Sequence, residues 1–148
     1  SSAPVEIFPG LVFLGEIPRQ NSFEDTGGPF FLDSEGKVPD PLLDDTGLLM
    51  ETDTGMVLFC GCAHSGLVNI VTYAAALYGI QRFRAVIGGF HLHNAHPFRL
   101  KKTLAAMASY HVEQAAPLHC TGERAVRAFH DHFGGDCLHC GAGSRLIF

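Results

Sequence analysis

A short strand followed by a glycine-containing loop and a helix is the feature that most constrains the fold of this chain. Residues 56–60 form a continuous apolar run, which predicts a strand buried on both faces. Over residues 65–79, apolar residues recur every three or four positions, which predicts a helix packed on that strand. The loop between them, 61–66, holds a thiol, an imidazole and glycines. Because open α/β sheets bind ligands at the carboxyl ends of their strands, this loop is a candidate site.

The rest of the chain continues the alternation of strands and helices. The predicted order, β-β-α-β-α-β-α-β-β, is typical of a layered α/β domain with a mixed sheet and helices on one face. We expect residues 1–148 to form a single, partial domain. The predicted strands cover 5–15 (an edge strand broken at Pro9), 47–52, 56–60, 83–88, 112–118, 137–140 and 144–148, and the predicted helices cover 65–79, 97–110 and 121–133.

Two helix details follow from the side-chain pattern. In the helix over 97–110, Phe98 is expected to face the core while Arg99 faces solvent. Thr121 is a good N-cap residue for the helix over 121–133, and Gly134 is expected to end that helix.

Residues 20–45 form a long, acidic segment rich in glycine, proline and aspartate. Loops of this length in compact domains are usually functional or disordered. A solvated loop is the simpler interpretation, and ligation of a hard cation by one of its carboxylates is the alternative.

The composition excludes several classes of protein. A net charge of -5 gives no reason to expect nucleic acid or an anionic membrane as partner. No apolar run reaches the roughly 20 residues that cross a bilayer, and no signal peptide is visible. The five cysteines are an odd number and several lie beside histidines, which favours reduced thiols and a cytoplasmic setting over a disulfide framework.

Three predicted strands end in loops that carry a histidine, namely His64, His91 and His119. Right-handed crossovers give successive parallel strands the same polarity, so these loops should meet at one edge of the sheet. Metal sites assemble from imidazoles that converge in this way, so His64 and His119 are the candidate ligands. A core histidine bonded to a backbone carbonyl is the alternative for both. His91 is a candidate general acid, or a residue that orients a ligand.

The cysteines leave more alternatives open. Cys62 and Cys120 lie next to the candidate ligands, and each is either a metal-binding thiolate or a small buried apolar residue. Cys137 and Cys140 have the spacing of half a zinc knuckle, and otherwise form a reduced pair on a strand. A redox role for these thiols is a weaker option. No nucleophile elbow, phosphate loop or dinucleotide fingerprint is present.

Four motifs together resemble those of the metallo-β-lactamase superfamily, in the branch of metal-dependent hydrolases similar to the dihydropterin ribofuranosyl-aminobenzene phosphate synthase of methanopterin biosynthesis. The motifs occur in order along nearly the whole chain. They are Gly15-Glu16-Ile17-Pro18-Arg19 with Phe23-Glu24, Gly61-Cys62-Ala63-His64-Ser65-Gly66-Leu67-Val68-Asn69, Ile87-Gly88-Gly89-Phe90-His91-Leu92 and His119-Cys120-Thr121-Gly122. The resemblance implies an αββα sandwich whose metal site, at one edge of the sheets, holds one or two zinc, iron or manganese ions.

The chain departs from this family in one respect. The superfamily's main ligand motif, His-x-His-x-Asp-His, belongs to the N-terminal half of the fold, and the chain has no such motif. The chain therefore resembles the C-terminal half of the sandwich. A half sandwich leaves an apolar sheet face uncovered, so we expect a homodimer, or the N-terminal half of the same fold, as partner.

These observations support two hypotheses about function. The first is a metal-dependent hydrolase that acts on an ester or phosphoester of a small molecule, with His64, His119 and Cys62 as candidate metal ligands and His91 as proton donor. The second is a non-catalytic module, derived from the same fold, that binds metal or associates with itself.

Overall fold

A computed structural model describes all 148 residues. It contains a single six-stranded sheet with the strand order β1-β2-β3-β4-β5-β6, together with three α-helices. The strands are β1 (Val5–Phe8), β2 (Leu11–Phe13), β3 (Gly47–Thr52), β4 (Gly55–Cys60), β5 (Phe83–Gly89) and β6 (Gln114–Leu118). The helices are α1 (Leu67–Tyr78), α2 (Pro97–Ser109) and α3 (Glu123–Phe133), and short 3₁₀ turns cover His119–Thr121 and Gly134–Asp136.

The sheet is mixed, as the sequence predicts. Strands β1 to β4 pair antiparallel, whereas β4, β5 and β6 pair parallel to one another through the crossover helices α1 and α2. The register places Cys60 beside Gly88, and Gly89 beside Leu118. The carboxyl ends of β4, β5 and β6 therefore lie side by side at one edge, hereafter the carboxyl edge.

Successive side chains on a strand point to opposite faces of the sheet, so the buried apolar residues form two separate clusters. One face of the sheet and all three helices bury the main core, which includes Leu58, Val86 and Phe129. On the opposite face, a smaller cluster is formed by Val57, Ala85, Ile87 and Ala116. The layers are thus one sheet and one set of helices, which confirms the predicted α/β layering with helices on one face.

The predicted closing strands over 137–140 and 144–148 are wrong. Cys137 forms only an isolated parallel bridge with Ala115, and the rest of the C-terminal segment has no strand partner. Gly141 and Gly143 lie in this segment, and glycine weakens strands because its backbone loses more entropy on ordering. Instead, Leu138, Cys140 and Phe148 pack on the smaller cluster and cover part of the second sheet face.

Three smaller predictions also need correction. The segment 5–15 contains two antiparallel strands, because the chain reverses between Phe8 and Leu11 and Gly10 takes a positive φ of 82°. The N-cap of α3 is Gly122, not Thr121, and no side chain caps this helix. Phe98 is exposed while Arg99 is buried, the reverse of the expected orientation.

No helix in the structure combines the length and apolar character needed to cross a bilayer.

Candidate metal and catalytic site

The carboxyl edge gathers all three histidine loops predicted from the sequence. The loop after β4 carries His64, the loop after β5 carries His91, and the 3₁₀ turn after β6 carries His119. Because the three strands are parallel neighbours in register, the loops that follow them are neighbours too. The side chains at this edge form two separate groups.

His64 and His91 make the first group. Their ring centroids are 4.1 Å apart, and the ring of Phe30 meets that of His64 edge-on at 5.0 Å. His64 Nδ1 lies 2.8 Å from the carbonyl oxygen of Thr26, and His91 Nε2 lies 3.2 Å from that of Gly27. A carbonyl oxygen only accepts hydrogen bonds, so each of these ring nitrogens donates and the other nitrogen of each neutral ring keeps its lone pair.

The free nitrogen of His91 is the most informative atom in this group. His91 is 9% exposed, and its Nδ1 is buried without a hydrogen-bond partner. Burial lowers the pKa of His91, and the neighbouring His64 lowers it further. The neutral imidazole is thus favoured, with an uncommitted lone pair at Nδ1.

The backbone around these groups is strained. Ala63, His91 and His119 adopt positive φ values of 54°, 42° and 47°, a region that residues with a side chain rarely occupy. Each such residue costs of order 1–3 kcal/mol, and strain of this kind concentrates at functional sites. Here it marks all three loops of the carboxyl edge.

The second group consists of Cys62, His119 and Cys120. One ligand atom from each residue lies within 4.8 Å of the other two. Both cysteines are half-buried and His119 is exposed. Burial raises the pKa of Cys120 to about 11, and the Cys62 thiol beside it contributes to the rise. The structure therefore brings Cys62 and His119 together, as expected for shared ligands, adds Cys120, and places His64 outside this group.

The remaining cysteines and histidines lie elsewhere. All five cysteines are free thiols. Cys137 is buried in the main core, and the rings of His130, on α3, and His139 stack with their centroids 4.1 Å apart. Cys137 and Cys140 belong to no cluster of three potential ligands.

The 20–45 loop has no strand or helix of its own, and it lies across the histidine pair. A Cβ atom at Gly27 would overlap the ring of His91, so the loop can approach this closely only because residue 27 is glycine. The acidic residues of the loop do not join the metal-ligand groups.

Glu24 and Arg99 hold this loop in place, and the sequence did not reveal either role. The Glu24 carboxylate accepts hydrogen bonds from the backbone N–H groups of Val68 and Asn69, both at 2.9 Å. It thereby caps α1, whose own N-cap residue, Gly66, has no side chain to do so. The buried Arg99 guanidinium donates to the carboxylate of Asp25 at 2.6 Å. The only signal of the Glu24 role in the sequence is that Phe23-Glu24 precedes a helix with no capping side chain of its own.

An open cleft of about 580 Å³ adjoins His64 on the side of β3. The carboxylates of Asp44 and Asp45, the backbone of Gly61 and the ring of Phe59 line it. Asp45 accepts hydrogen bonds from the backbone and hydroxyl of Ser65 and so fixes the loop that carries His64. A small molecule in this cleft would contact His64.

The comparisons with known proteins agree with this geometry. The chain has the fold of the crystal structure of Tm1679, a metal-dependent hydrolase of the β-lactamase superfamily, with a TM-score of 0.87 and 33% identity over 98% of this chain and 56% of that one. It is also 34% identical to the 7,8-dihydropterin-6-methyl-4-(β-D-ribofuranosyl)-aminobenzene-5'-phosphate synthase of Methanocaldococcus jannaschii, over all of this chain and 52% of that protein. The resemblance to the metallo-β-lactamase superfamily is thereby confirmed.

A second relative in Methanocaldococcus jannaschii, an uncharacterized protein, is 30% identical over 83% of this chain and 44% of its own length. No family model matches the chain. The chain spans about half the length of the curated relatives that it matches. Within the metallo-β-lactamase superfamily, it therefore corresponds to half of the αββα sandwich.

The residues at the carboxyl edge fit the metal ion that this superfamily implies. Imidazole nitrogen and thiolate sulfur are the ligands that zinc and related transition metals prefer. The three donors of the second group, which lie within 4.8 Å of one another, are a set of this kind that a cation would satisfy.

Proposed function

We propose that this chain provides the carboxyl-edge part of the active site of a metal-dependent hydrolase, which acts on an ester or phosphoester of a small molecule. The observation that carries the proposal is the convergence of three histidine loops at one sheet edge, in a chain that shares its fold with the metal-dependent hydrolase Tm1679. His64, His119 and Cys62 are the proposed metal ligands. The metal is zinc, iron or manganese, present as one or two ions.

A bound metal ion supplies Lewis acidity, which polarises water and the substrate oxygen. The chain's own residues hold the imidazole rings in position and exchange protons. The Thr26 carbonyl fixes the ring of His64, leaving Nε2 as its ligand atom. The Gly27 carbonyl fixes the ring of His91, so that Nδ1 takes up a proton and returns it to the leaving group.

The cleft beside His64 supports a small molecule as the substrate. It is open to solvent, and Phe59 offers an apolar wall opposite the two aspartates. The synthase of Methanocaldococcus jannaschii forms a phosphorylated pterin derivative, as its name states. A phosphorylated small molecule is therefore the first substrate class to test.

The proposed partner is the half of the fold that this chain does not contain, or a second copy of the chain. Two observations support this partner. The chain spans about half the length of its relatives, and it has no His-x-His-x-Asp-His motif. Self-association without catalysis is the second candidate function. The exposed apolar side chains of Val5, Ile7 and Phe8 on the edge strand β1 favour it.

Hydrolysis of p-nitrophenyl phosphate, bis(p-nitrophenyl) phosphate and p-nitrophenyl acetate would test the proposal. The chain is assayed with added zinc, manganese or ferrous iron, alone and mixed with the half of the synthase that it does not match. We expect metal-dependent hydrolysis that falls about 10²-fold or more in His91→Gln and stays unchanged in His132→Ala, an exposed residue on α3. Absence of metal-dependent hydrolysis in every combination would refute the hydrolase. A stable homodimer without hydrolysis would support the alternative.

A further inference from the structure

The second group at the carboxyl edge is chemically distinct from the histidine pair, because two of its three donors are sulfur atoms. Cys62 follows β4, while His119 and Cys120 follow β6, so donors separated by more than 50 residues in sequence meet across the edge of β5. We propose that Cys62, His119 and Cys120 together form a zinc site, with a fourth position left for another ligand. This rests on the proposed function, which already names Cys62 and His119 as metal ligands, and deepens it by adding Cys120 as a third donor.

The distances suit a tetrahedral ion. With Zn–S near 2.3 Å and Zn–N near 2.1 Å, the donors of one zinc ion lie about 3.4 to 3.8 Å apart. The ligand atoms of this group are all within 4.8 Å of one another, so each needs to move by about 1 Å or less to reach the ion. Such movements are available to half-buried side chains through rotation about χ1.

The surrounding backbone is arranged for a close approach of sulfur. A Cβ atom at Gly89 would lie 2.8 Å from Cys120 Sγ and 2.6 Å from the carbonyl oxygen of Gly61. Glycine at this position therefore lets Cys120 reach across the end of β5 toward Cys62. The Cys120 thiol donates a hydrogen bond to the carbonyl oxygen of Cys62 at 3.6 Å, which holds the two residues together.

His119 supplies the nitrogen donor of the group. It adopts a positive φ of 47° in the turn that follows β6, and its imidazole lies next to Cys62 and Cys120. His119 is exposed, so an ion can enter from solvent and a further ligand can complete its coordination.

The donor set predicts the metal. Two thiolates with one imidazole bind zinc in preference to magnesium, calcium or manganese, which favour oxygen ligands. The second group therefore favours zinc over manganese, and over ferrous iron as well, because divalent iron binds a given set of nitrogen and sulfur donors more weakly than zinc does. Ion binding displaces the thiol protons, because only the thiolate coordinates.

Titration with cobalt, a spectroscopic substitute for zinc, would test the site directly. The reduced 148-residue chain is titrated with Co²⁺ while absorption is recorded, and zinc is then added in competition. We expect a thiolate-to-cobalt charge-transfer band in the near ultraviolet, with one ion per chain, that zinc abolishes. Zinc affinity should fall more than about tenfold in Cys62→Ser and in Cys120→Ser.

Cys140→Ser and His132→Ala are the controls. Cys140 is a half-buried free thiol and His132 an exposed imidazole, and neither belongs to the cluster of three potential ligands, so both variants should keep the charge-transfer band. Far-ultraviolet circular dichroism of each variant shows whether it is folded. A band that persists in the Cys62→Ser, Cys120→Ser double variant, or that disappears in a folded Cys140→Ser variant, would overturn the proposal.

The same titration separates this proposal from the proposed function. Cobalt binding that gives no charge-transfer band and is lost in His64→Ala would refute the thiolate site while leaving a histidine metal site, and hence the hydrolase, intact. Failure of all metals to bind would refute both.

Discussion

Gly27 is the residue on which the position of the loop over His91 depends. Its Gly27→Ala variant should lose about 1–3 kcal/mol of unfolding free energy, because the new methyl group overlaps the His91 ring and forces the loop away. The matched control is Gly36→Ala on the same loop. Gly36 also has a positive φ, of 68°, but its added Cβ would lie 3.7 Å from Phe31, in ordinary contact.

Both variants share the backbone strain of a non-glycine residue at positive φ, about 1–2 kcal/mol, so their difference isolates the clash with His91. Urea denaturation at neutral pH measures both. Equal losses in the two variants would show that the loop does not rest on His91.

The burial of Glu24 predicts how the unfolding free energy of the protein depends on pH. Burial raises the pKa of the Glu24 carboxyl, although hydrogen bonds from Asn21, Val68 and Asn69 oppose the rise. The folded state then binds the proton more tightly than the unfolded state. Unfolding free energy therefore falls as pH rises from about 4.5, the ordinary pKa, through the raised folded value.

Glu24→Gln should remove this pH-dependent contribution to the unfolding free energy. The unfolding free energy of the variant should therefore rise relative to that of the wild type as pH rises above 4.5. Glu35→Gln is the control, because Glu35 is an exposed residue of the same loop. Unfolding free energies from urea titrations at a series of pH values provide the measurement. A difference that stays constant with pH, or moves in the opposite direction, would contradict a buried, proton-retaining Glu24.

At the scale of elements, the sequence predicts what depends on local pattern. The core strands β4 and β5 and the helices α1 and α2 follow from apolar periodicity, and the gathering of His64, His91 and His119 follows from the handedness of the crossovers. Side-chain orientations and helix caps that depend on residues far away in the sequence could not be predicted. Arg99 turns inward because Asp25, on a remote loop, offers a carboxylate, and α1 is capped by Glu24 rather than by its own chain neighbours.

The C-terminal segment is a further case of this kind. Its alternating residues resemble strands, yet it has a ladder contact only at Cys137, and it acts as a cover for the second sheet face. Likewise, the Cys62–Cys120 proximity depends on the absence of a side chain at Gly89. Periodicity in one segment contains no information about such contacts.

Leu138 tests the covering role of this segment. Leu138→Ala should lower the unfolding free energy by about 1 to 2 kcal/mol, less than a fully buried leucine, because Leu138 is half-buried against the cluster of Val57, Ala85, Ile87 and Ala116. Ile147→Ala is the control, since Ile147 is 82% exposed. Increased binding of a hydrophobic dye in Leu138→Ala would accompany the loss. An unchanged free energy would show that the segment does not cover the sheet.

At the scale of the whole molecule, the structure is one β-layer with one helical layer, half of the αββα sandwich of the metallo-β-lactamase superfamily. The C-terminal segment covers part of the second sheet face, over β4, β5 and β6, and apolar side chains remain exposed on β1. The proposed function is concentrated at the carboxyl edge, where backbone strain, a buried unpartnered nitrogen and a cluster of sulfur and nitrogen donors coincide.

Elemental analysis of the protein, purified without chelators or metal-affinity columns, tests most directly whether the carboxyl edge binds a transition metal. We expect near-stoichiometric metal in the wild type, a clear loss in His64→Ala and in His119→Ala, and no change in the control His132→Ala, with all variants folded by circular dichroism. Absence of metal in the wild type, or a metal content that is the same in all four proteins, would contradict a metal site at this edge.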